Sequence, residues 1–525
     1  MMKKIFYSTT ALLFAVSSMV LTACSEDALD GVNRDTNHPL STETKFMVAD
    51  LATATAVSVV GGDFNTYASV AIEHEGGVYN QLYNAETRSG EWASSSTFNN
   101  AWNATYNNLY NALTVVKKTK DDADDPEAGS TGIRGIAEVY VAYNTAILTD
   151  LFGDIPYSEA CDINKTMTPA IDKQEDVYKS IMETLDNAIA DLQTVSDAGL
   201  GAYDFIYRGK TDSWLKFAYG LKARLLLHTL YRAADKNAVC QQIVELCDQS
   251  FQSVDEQAAY NVYDANNWNP LFDLQYSRDY LGVSESMFNK LMEREDPRVE
   301  RIIFYPYNMH LTSDNPNLYL VPNGTPEQVQ WEYSYDCFCL AQTASTYLLS
   351  YHEVQFIKAE ALARLGQDDA AKEAVKNALK AAFANTEASL TAALEGPELA
   401  GTGDALFFDK EDPNVPLTDA DAEAYADRIL DGLTGEDLLK EVLVQKYIAM
   451  YGANGESTEA YNDVRRLKAL GEEFIELANP KNSNRFPLRF GYANSDTQAN
   501  PNVKAAFGDG QYVYKEPVWW AGGSR

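Results

Sequence analysis

The chain has 525 residues, 46% of them hydrophobic and 11% aromatic, and it carries a formal net charge of −34. This length predicts about three domain-sized units, and the apolar and aromatic content excludes intrinsic disorder as a description of the whole chain. So acidic a chain is repelled by a phosphate backbone, which argues against a nucleic-acid partner.

The N-terminus has the design of a secretory signal peptide. Lys3 and Lys4 precede an uncharged apolar stretch, which ends in Leu-Thr-Ala-Cys24. That ending resembles a bacterial lipobox, in which the cysteine becomes the lipidated first residue of the mature protein. We therefore predict a lipoprotein-type signal peptide over residues 1–23, lipidation of Cys24 and a lipidated tether over residues 24–45. The alternative is an ordinary signal peptide that happens to contain a cysteine.

Apolar residues recur with the helical period of 3.6 in several stretches, and each apolar stripe must be buried against a neighbour. The clearest are residues 136–151, 177–192, 354–365 and 436–451. The small residues Gly366, Ala371 and Ala378 keep the spacing of a tetratricopeptide helix pair. The predicted fold class is mostly α, a helical scaffold with tetratricopeptide-like helix pairs, long loops and a few short strands.

The sequence lacks the short motifs of common enzymes, including His-Glu-x-x-His, the phosphate-binding Gly-Lys-Ser/Thr loop and the Gly-x-Ser-x-Gly elbow. We predict no catalytic residue, no metal site and no cofactor. His228 lies on a predicted helix and is interpreted as a core or groove histidine. The polar run Glu73-His74-Glu75 is interpreted as a solvated loop.

Nine motifs, in order through nearly the whole mature chain, resemble those of the SusD/RagB family of nutrient-binding outer-membrane lipoproteins of Bacteroidetes. They are Asn33–Pro39, Asp150–Tyr157, Tyr207–Trp214, Asp296–Arg298, Glu353–Glu360, Gln445-Lys446, Asn462–Arg466, Arg485–Leu488 and Asn500–Val503. Most of these motifs belong to the scaffold. Arg224, Glu353, Glu360, Asp463 and Arg465 are candidates for buried ion pairs between helices.

The resemblance implies one SusD-like helical binding domain over residues 46–525, with loop insertions. It also implies a protein held by its lipid in the outer membrane and facing the cell exterior. Such proteins cap a SusC-like TonB-dependent transporter as a lid, capture an oligosaccharide or an oligopeptide, and do no covalent chemistry. Two other functions stay open: a lipid-anchored surface hydrolase of the same polymers, and a tetratricopeptide-type protein adaptor.

A ligand site on such a scaffold is expected to be aromatic and carried by loops. Sugar rings present apolar C–H faces that stack on aromatic side chains, while peptides need backbone hydrogen bonds and apolar pockets. The candidate ligand-binding residues are Trp92, Trp268, Tyr276, Arg278, Trp331, Tyr333 and Tyr335. The last three aromatic residues alternate, so they would share one face of an extended segment. For each candidate the alternative is packing inside a loop.

Overall fold

A computed structural model describes residues 42–305, 318–396, 415–452 and 455–524. The predicted signal peptide, Cys24, most of the tether and the Asn33–Pro39 motif lie outside the described residues. The described residues from Thr44 onward form one compact unit.

Helices dominate this unit, which confirms the predicted fold class. The helices of the first half are α1 Thr44–Ala54, α2 Asp63–Ala71, α3 Asn80–Thr87, α4 Asn99–Thr119, α5 Thr131–Phe152, α6 Gln174–Leu192, α7 Thr211–His228, α8 Lys236–Gln249, α9 Pro270–Arg278, α10 Glu285–Glu293 and α11 Val299–Ile302. Those of the second half are α12 Cys337–Leu340, α13 Tyr351–Arg364, α14 Asp368–Leu394, α15 Asp419–Ile429, α16 Gly435–Ala449, α17 Ser457–Leu470, α18 Asn482–Arg485, α19 Asn494–Ala499 and α20 Pro501–Phe507.

The described strands are short and pair only in twos, always antiparallel. The pairs are β1 Glu75–Gly77 with β5 Leu281–Val283, β2 Ile155–Pro156 with β3 Ile171–Asp172, β4 Ala258–Tyr260 with β8 Thr346–Leu349, and β6 Ile303–Phe304 with β7 Tyr335–Asp336. In the first pair Gly76 faces Gly282 across the ladder. The strands therefore tie loops to the helices and form no layer of their own.

Helix α5 is the centre of the N-terminal half, because every residue from Ile136 to Phe152 is buried. It packs against α4, α6 and α7. Gly135 lets α6 approach closely, since a Cβ atom there would lie 2.7 Å from Leu192 Cγ. Gly153 ends the helix with φ 81°, a conformation that favours glycine.

Helices α13 and α14 form the predicted tetratricopeptide-like hairpin. Gly366 makes the turn between them with φ 71°, and Ala371 and Ala378 are fully buried where the two helices meet. Small side chains at these positions allow the close approach that the sequence spacing predicts.

The stretch Thr44–Ala71 is long and apolar enough, by length and composition alone, to cross a membrane. In the fold it is divided into α1, a π-helical turn and α2. Its side chains Val48, Leu51, Val59 and Phe64 are fully buried in the hydrophobic core. Core packing therefore accounts for these apolar side chains of the stretch.

Buried ion pairs connect the helices, as the sequence predicts for four of the five residues. Arg224 of α7 makes a two-pronged pair with Glu353 of α13, at 2.7 and 2.5 Å. Arg466 of α17 bonds Glu360 of α13 at 2.7 and 2.6 Å and pairs with Asp463 at 2.7 Å. These pairs link α7, α13 and α17.

Arg465 differs from that prediction, because it donates hydrogen bonds to the neutral oxygens of Asn462 and Leu488 and packs against aromatic rings. Its guanidinium carbon lies 4.2 Å from the ring centroid of Tyr461 and 4.8 Å from that of Trp520. Aromatic faces attract a buried cation through the ring quadrupole.

The prediction of a solvated loop at Glu73-His74-Glu75 is wrong, since all three side chains are buried. The Glu73 carboxylate accepts the backbone N–H groups of Ala478 and Asn479 at 2.6 and 2.7 Å. Burial therefore comes with hydrogen-bond partners more than 400 residues away, which the local sequence pattern does not show.

Candidate ligand-binding surface

Helix α9 presents two of the predicted ligand residues side by side. Trp268 precedes the helix and is half-buried, and Tyr276 is 43% exposed. Their ring centroids are 5.5 Å apart, at an interplanar angle of 87°. Phe272 is buried and stacks under Tyr276 at 5.4 Å. Asn269 caps the helix by accepting the N–H of Leu271 at 2.8 Å, which fixes the start of α9 between the two rings.

Trp331 meets the other end of the same helix, although it lies more than fifty residues further along the chain. It is 39% exposed, and its backbone N–H donates to the Asp279 carboxylate. Gln330 Nε2 donates to the carbonyl oxygen of Arg278 at 2.6 Å. The structure thus brings together Trp268, Tyr276, Arg278 and Trp331, which we call the aromatic surface.

The backbone is strained where Trp331 joins α9. Trp331 has φ 65° and Asp279 has φ 47°, angles that non-glycine residues rarely adopt. Each such residue costs of order 1–3 kcal/mol and persists only where its surroundings hold it, and such residues cluster at functional sites. Six other non-glycine residues of the described chain also have positive φ, but at Trp331 and Asp279 the two strained residues are joined by a hydrogen bond.

The Asp279 carboxyl serves to position neighbouring groups. Burial raises its pKa to about 6, and hydrogen bonds from the Trp331 N–H, Tyr335 and Gln275 oppose that shift. The Gln275 amide donates to Asp279 at 2.7 Å. Both carboxylate oxygens are therefore engaged by the protein, one by Gln275 and one by Trp331.

Arg278 supplies the polar group of the surface. Its side chain is exposed and its guanidinium carbon lies 5.8 Å from the Tyr280 ring centroid. Asp63, at the start of α2, is close enough that Arg278 opposes the rise that burial causes in the Asp63 pKa. A cation held over an aromatic ring can donate hydrogen bonds to ligand hydroxyl or carbonyl oxygens.

Tyr319 is an exposed aromatic residue that the sequence analysis did not single out. It is 37% exposed and stacks on Tyr333 with ring centroids 4.6 Å apart and planes within 1°. Tyr319 and Ser334 pair through their backbones at 2.8 Å. Only its position in a turn-rich aromatic segment could have indicated it.

Trp92 is a core residue, contrary to its prediction as a ligand contact. Its side chain is 1% exposed. Its ring lies 4.8 Å from Phe490, 5.5 Å from Tyr67 and 5.8 Å from Phe98. No face of the indole is open to a ligand, because distant aromatic residues enclose a segment that looks like a simple Gly/Ser loop in sequence.

Tyr333 and Tyr335 are likewise buried, at 2% and 6% exposure. The prediction of a shared face with Trp331 required an extended segment, and the positive φ of Trp331 breaks that geometry. The Tyr333 hydroxyl accepts a hydrogen bond from the backbone N–H of Glu327 at 2.8 Å, and Tyr335 belongs to β7. Of the three alternating aromatic residues, only Trp331 is presented to solvent.

Comparison with known proteins identifies the scaffold. The SusD-like family described as "Starch-binding associating with outer membrane" matches residues 63–493. The chain belongs to this family. A comparison with curated protein sequences finds no match.

Solved structures agree with the SusD-like assignment. A SusD/RagB family protein of Bacteroides thetaiotaomicron is 44% identical, with a TM-score of 0.85, over 92% of this chain and 100% of that chain. A chitin-binding protein is 19% identical, with a TM-score of 0.67, over 91% and 100% of the two chains. A SusD homologue of Bacteroides fragilis has the same identity and TM-score, over 91% and 99%. The last two show that the fold is shared.

Two buried clusters of titratable side chains occur among the described residues of this SusD-like protein, and the first consists of His228, Asp150 and Glu459. The two imidazole nitrogens lie 3.3 Å from an Asp150 oxygen and 2.9 Å from a Glu459 oxygen. Burial lowers the His228 pKa, but the two carboxylates outweigh it and raise the pKa to about 9. Both nitrogens face acceptors, which is the geometry of an imidazolium held between carboxylates.

The second buried cluster consists of Glu75, Asp336 and Cys339, whose side-chain oxygen and sulfur atoms lie within 4.8 Å of one another. Such a donor set could hold a metal ion. Without one, burial and the nearby Asp336 raise the pKa of Glu75 to about 8. The Glu75 oxygens are contacted by the Ser69 hydroxyl at 2.7 Å and the Cys339 thiol at 3.4 Å.

Proposed function

We propose that this protein is a cell-surface lipoprotein that captures an oligomeric nutrient and acts as the lid of a SusC-like TonB-dependent transporter. The nutrient is an oligosaccharide or an oligopeptide. The observation that carries the proposal is the aromatic surface, where Trp268, Tyr276 and Trp331 are partly exposed around Arg278 on a SusD-like scaffold.

The aromatic surface suits a sugar chain better than a single small molecule. The nine residues of α9 extend over about 14 Å, with Trp268 before the helix and Trp331 beside its last residues. Apolar C–H faces of sugar rings lie favourably against such rings, because both surfaces are removed from water. The description of one structural neighbour as chitin-binding also favours a glycan.

The membrane anchor and the transporter complete the proposal. Cys24 in Leu-Thr-Ala-Cys would carry the lipid, and family membership supports location at the outer membrane. Mass spectrometry of the mature N-terminal peptide tests lipidation. Purification of the tagged lipoprotein from its own cells, in mild detergent, should recover a large barrel protein if the lid assignment is correct.

Ligand capture is tested by calorimetric titration of the purified protein with a panel of oligosaccharides and mixed oligopeptides. A variant with Trp268→Ala and Tyr276→Ala should lose most of the binding heat. Tyr110→Ala is the matched control, since Tyr110 is 50% exposed on α4. Full binding by the folded double variant would refute the aromatic surface as the ligand site.

We also propose that the protein does no covalent chemistry on its ligand. Prolonged incubation with each bound oligomer, followed by chromatography of the products, should return the oligomer intact. Release of shorter products by the purified protein would favour the alternative of a surface hydrolase. Binding of protein segments alone, with no oligosaccharide or short peptide bound, would favour the adaptor.

A further inference from the structure

The aromatic surface is surrounded by negative charge. The two segments that build it, residues 261–283 and 318–336, contain Arg278 as their sole lysine, arginine or histidine. Their exposed carboxylates are Asp264, Asp273, Glu327 and Glu332. These two segments therefore carry four exposed carboxylates and one guanidinium, and the whole chain has a net charge of −34.

Two of these carboxylates are placed beside the rings of α9. Asp264 accepts the N–H groups of Asn266 and Asn267 at 2.7 and 2.9 Å, which shapes the turn leading into Trp268. Asp273 lies on α9 one turn before Tyr276, and residues three apart on a helix are neighbours.

The other two carboxylates belong to the Trp331 side of the surface. Glu332 follows Trp331 directly in the chain and is exposed. Glu327 is exposed, and its backbone N–H donates to the hydroxyl of Tyr333, the residue on which Tyr319 stacks. The negative charges thus flank both ends of the aromatic surface.

This arrangement discriminates between ligands by charge. Exposed carboxylates repel an anionic polymer over a Debye length of about 10 Å at 0.1 M salt. The faces of tryptophan and tyrosine rings attract cations as well as apolar surface. A ligand with apolar ring faces and positively charged substituents would satisfy both features at once.

We infer that the aromatic surface takes an oligosaccharide that carries protonated amino groups, such as an oligomer of glucosamine. The inference rests on the proposed function, because it names the ligand class of the same site. A sugar is favoured over a basic peptide because the backbone here is already paired: β7 with β6, and Ser334 with Tyr319. An extended peptide would need an open strand edge.

The test compares three oligosaccharides of equal length by calorimetry at mildly acidic pH: a glucosamine oligomer, its fully N-acetylated form and an oligogalacturonate. At low ionic strength the glucosamine oligomer should bind roughly tenfold tighter than the acetylated form, and the difference should vanish at about 1 M salt. The oligogalacturonate should bind weakest.

Neutralising individual carboxylates tests whether these residues cause the preference for the glucosamine oligomer. Asp273→Asn with Glu332→Gln should weaken binding of the glucosamine oligomer by about threefold per lost charge and should change binding of the acetylated oligomer by a smaller factor. Glu183→Gln, on an exposed face of α6, is the matched control.

The outcomes separate this inference from the proposed function. Equal affinity for all three sugars, or tightest binding of the oligogalacturonate, would overturn the charge selection while leaving glycan capture intact. Tighter binding of a lysine-rich peptide than of the glucosamine oligomer would overturn the sugar assignment. Absence of binding by every sugar and peptide would count against the proposed function itself.

Discussion

The backbone N–H of Trp331 donates to the carboxylate of Asp279, and both residues have positive φ angles. Trp331 thereby becomes attached to the end of α9, the helix that carries Tyr276. Two residues adopt an unfavourable backbone conformation in a segment that leaves the Trp331 indole partly exposed, although tryptophan side chains are usually largely buried. The hydrogen bond to Asp279 and the backbone angles therefore fix the position of Trp331 beside α9.

Removing the Asp279 carboxylate should release Trp331. Asp279→Gly tolerates the positive φ of the native residue but offers no acceptor, so the Trp331 N–H loses a bond worth about 1 kcal/mol. We expect roughly fivefold weaker ligand binding by calorimetry. Asp279→Asn keeps an oxygen acceptor and tolerates the same φ, so it should retain most of the affinity. Equal affinities for the two variants would contradict a positioning role.

Trp92 and Tyr276 should respond to truncation in opposite ways. Trp92→Ala removes an indole enclosed by Phe98 and Phe490, which should lower the free energy of unfolding by about 3–5 kcal/mol. Tyr276→Ala removes a 43% exposed ring from a helix and should weaken ligand binding with little change in stability. Urea unfolding and calorimetry measure the two effects. A stable, non-binding Trp92→Ala protein would restore Trp92 to the ligand site.

Much of the helical scaffold could be predicted from the sequence, because helix formation depends on local periodicity. The stripe over residues 436–451 corresponds to α16, Gly435–Ala449, and the stripe over 177–192 lies within α6. The small residues around Gly366 indicated the α13–α14 hairpin. In each case the information lies within about twenty residues of sequence.

The candidate site could be predicted only in part, because exposure in irregular segments is decided by distant residues. Nothing near Trp92 indicates that Phe490 will cover it. Alternation suggested one face for Trp331 and Tyr333, but the backbone turns at Trp331 because of Asp279, which lies 52 residues earlier. The burial of His74 depends similarly on Tyr447 and Ser457. Long-range contacts, and not local pattern, decided these positions.

The ion pair of Arg224 with Glu353 should be costly to break from one side. Arg224→Met leaves a buried carboxylate without its partner and should destabilise the protein by about 3–5 kcal/mol. It also removes the hydrogen bond from Arg224 to the Leu348 carbonyl, at 2.9 Å. The double variant Arg224→Met, Glu353→Leu should recover a large part of that loss. Urea unfolding of the single and double variants measures the coupling, and simple additivity would show that the pair is not coupled.

His74 should make the fold sensitive to acid. Burial lowers its pKa to about 3, with Lys290 contributing in the same direction, so the folded state holds a neutral imidazole. A base with a depressed pKa contributes stability that is complete above its ordinary value of 6.5 and is lost as pH falls toward 3. Unfolding free energies between pH 6.5 and 4 should fall less steeply in His74→Gln than in the native protein. Parallel pH profiles would contradict this assignment.

His228 should make the stability of the fold decrease at alkaline pH. Its pKa is raised to about 9 because Asp150 and Glu459 outweigh burial, so the folded state favours the imidazolium. Stability from this group is complete below pH 6.5 and is lost as pH rises through 9, and at one pKa unit per 1.36 kcal/mol the loss is at most about 3 kcal/mol. His228→Gln should remove that alkaline decline at the cost of lower stability at neutral pH. Because Trp520 also donates to Asp150, at 2.8 Å, its fluorescence should report the same transition. An unchanged alkaline profile in the variant would show that His228 is neutral in the folded protein.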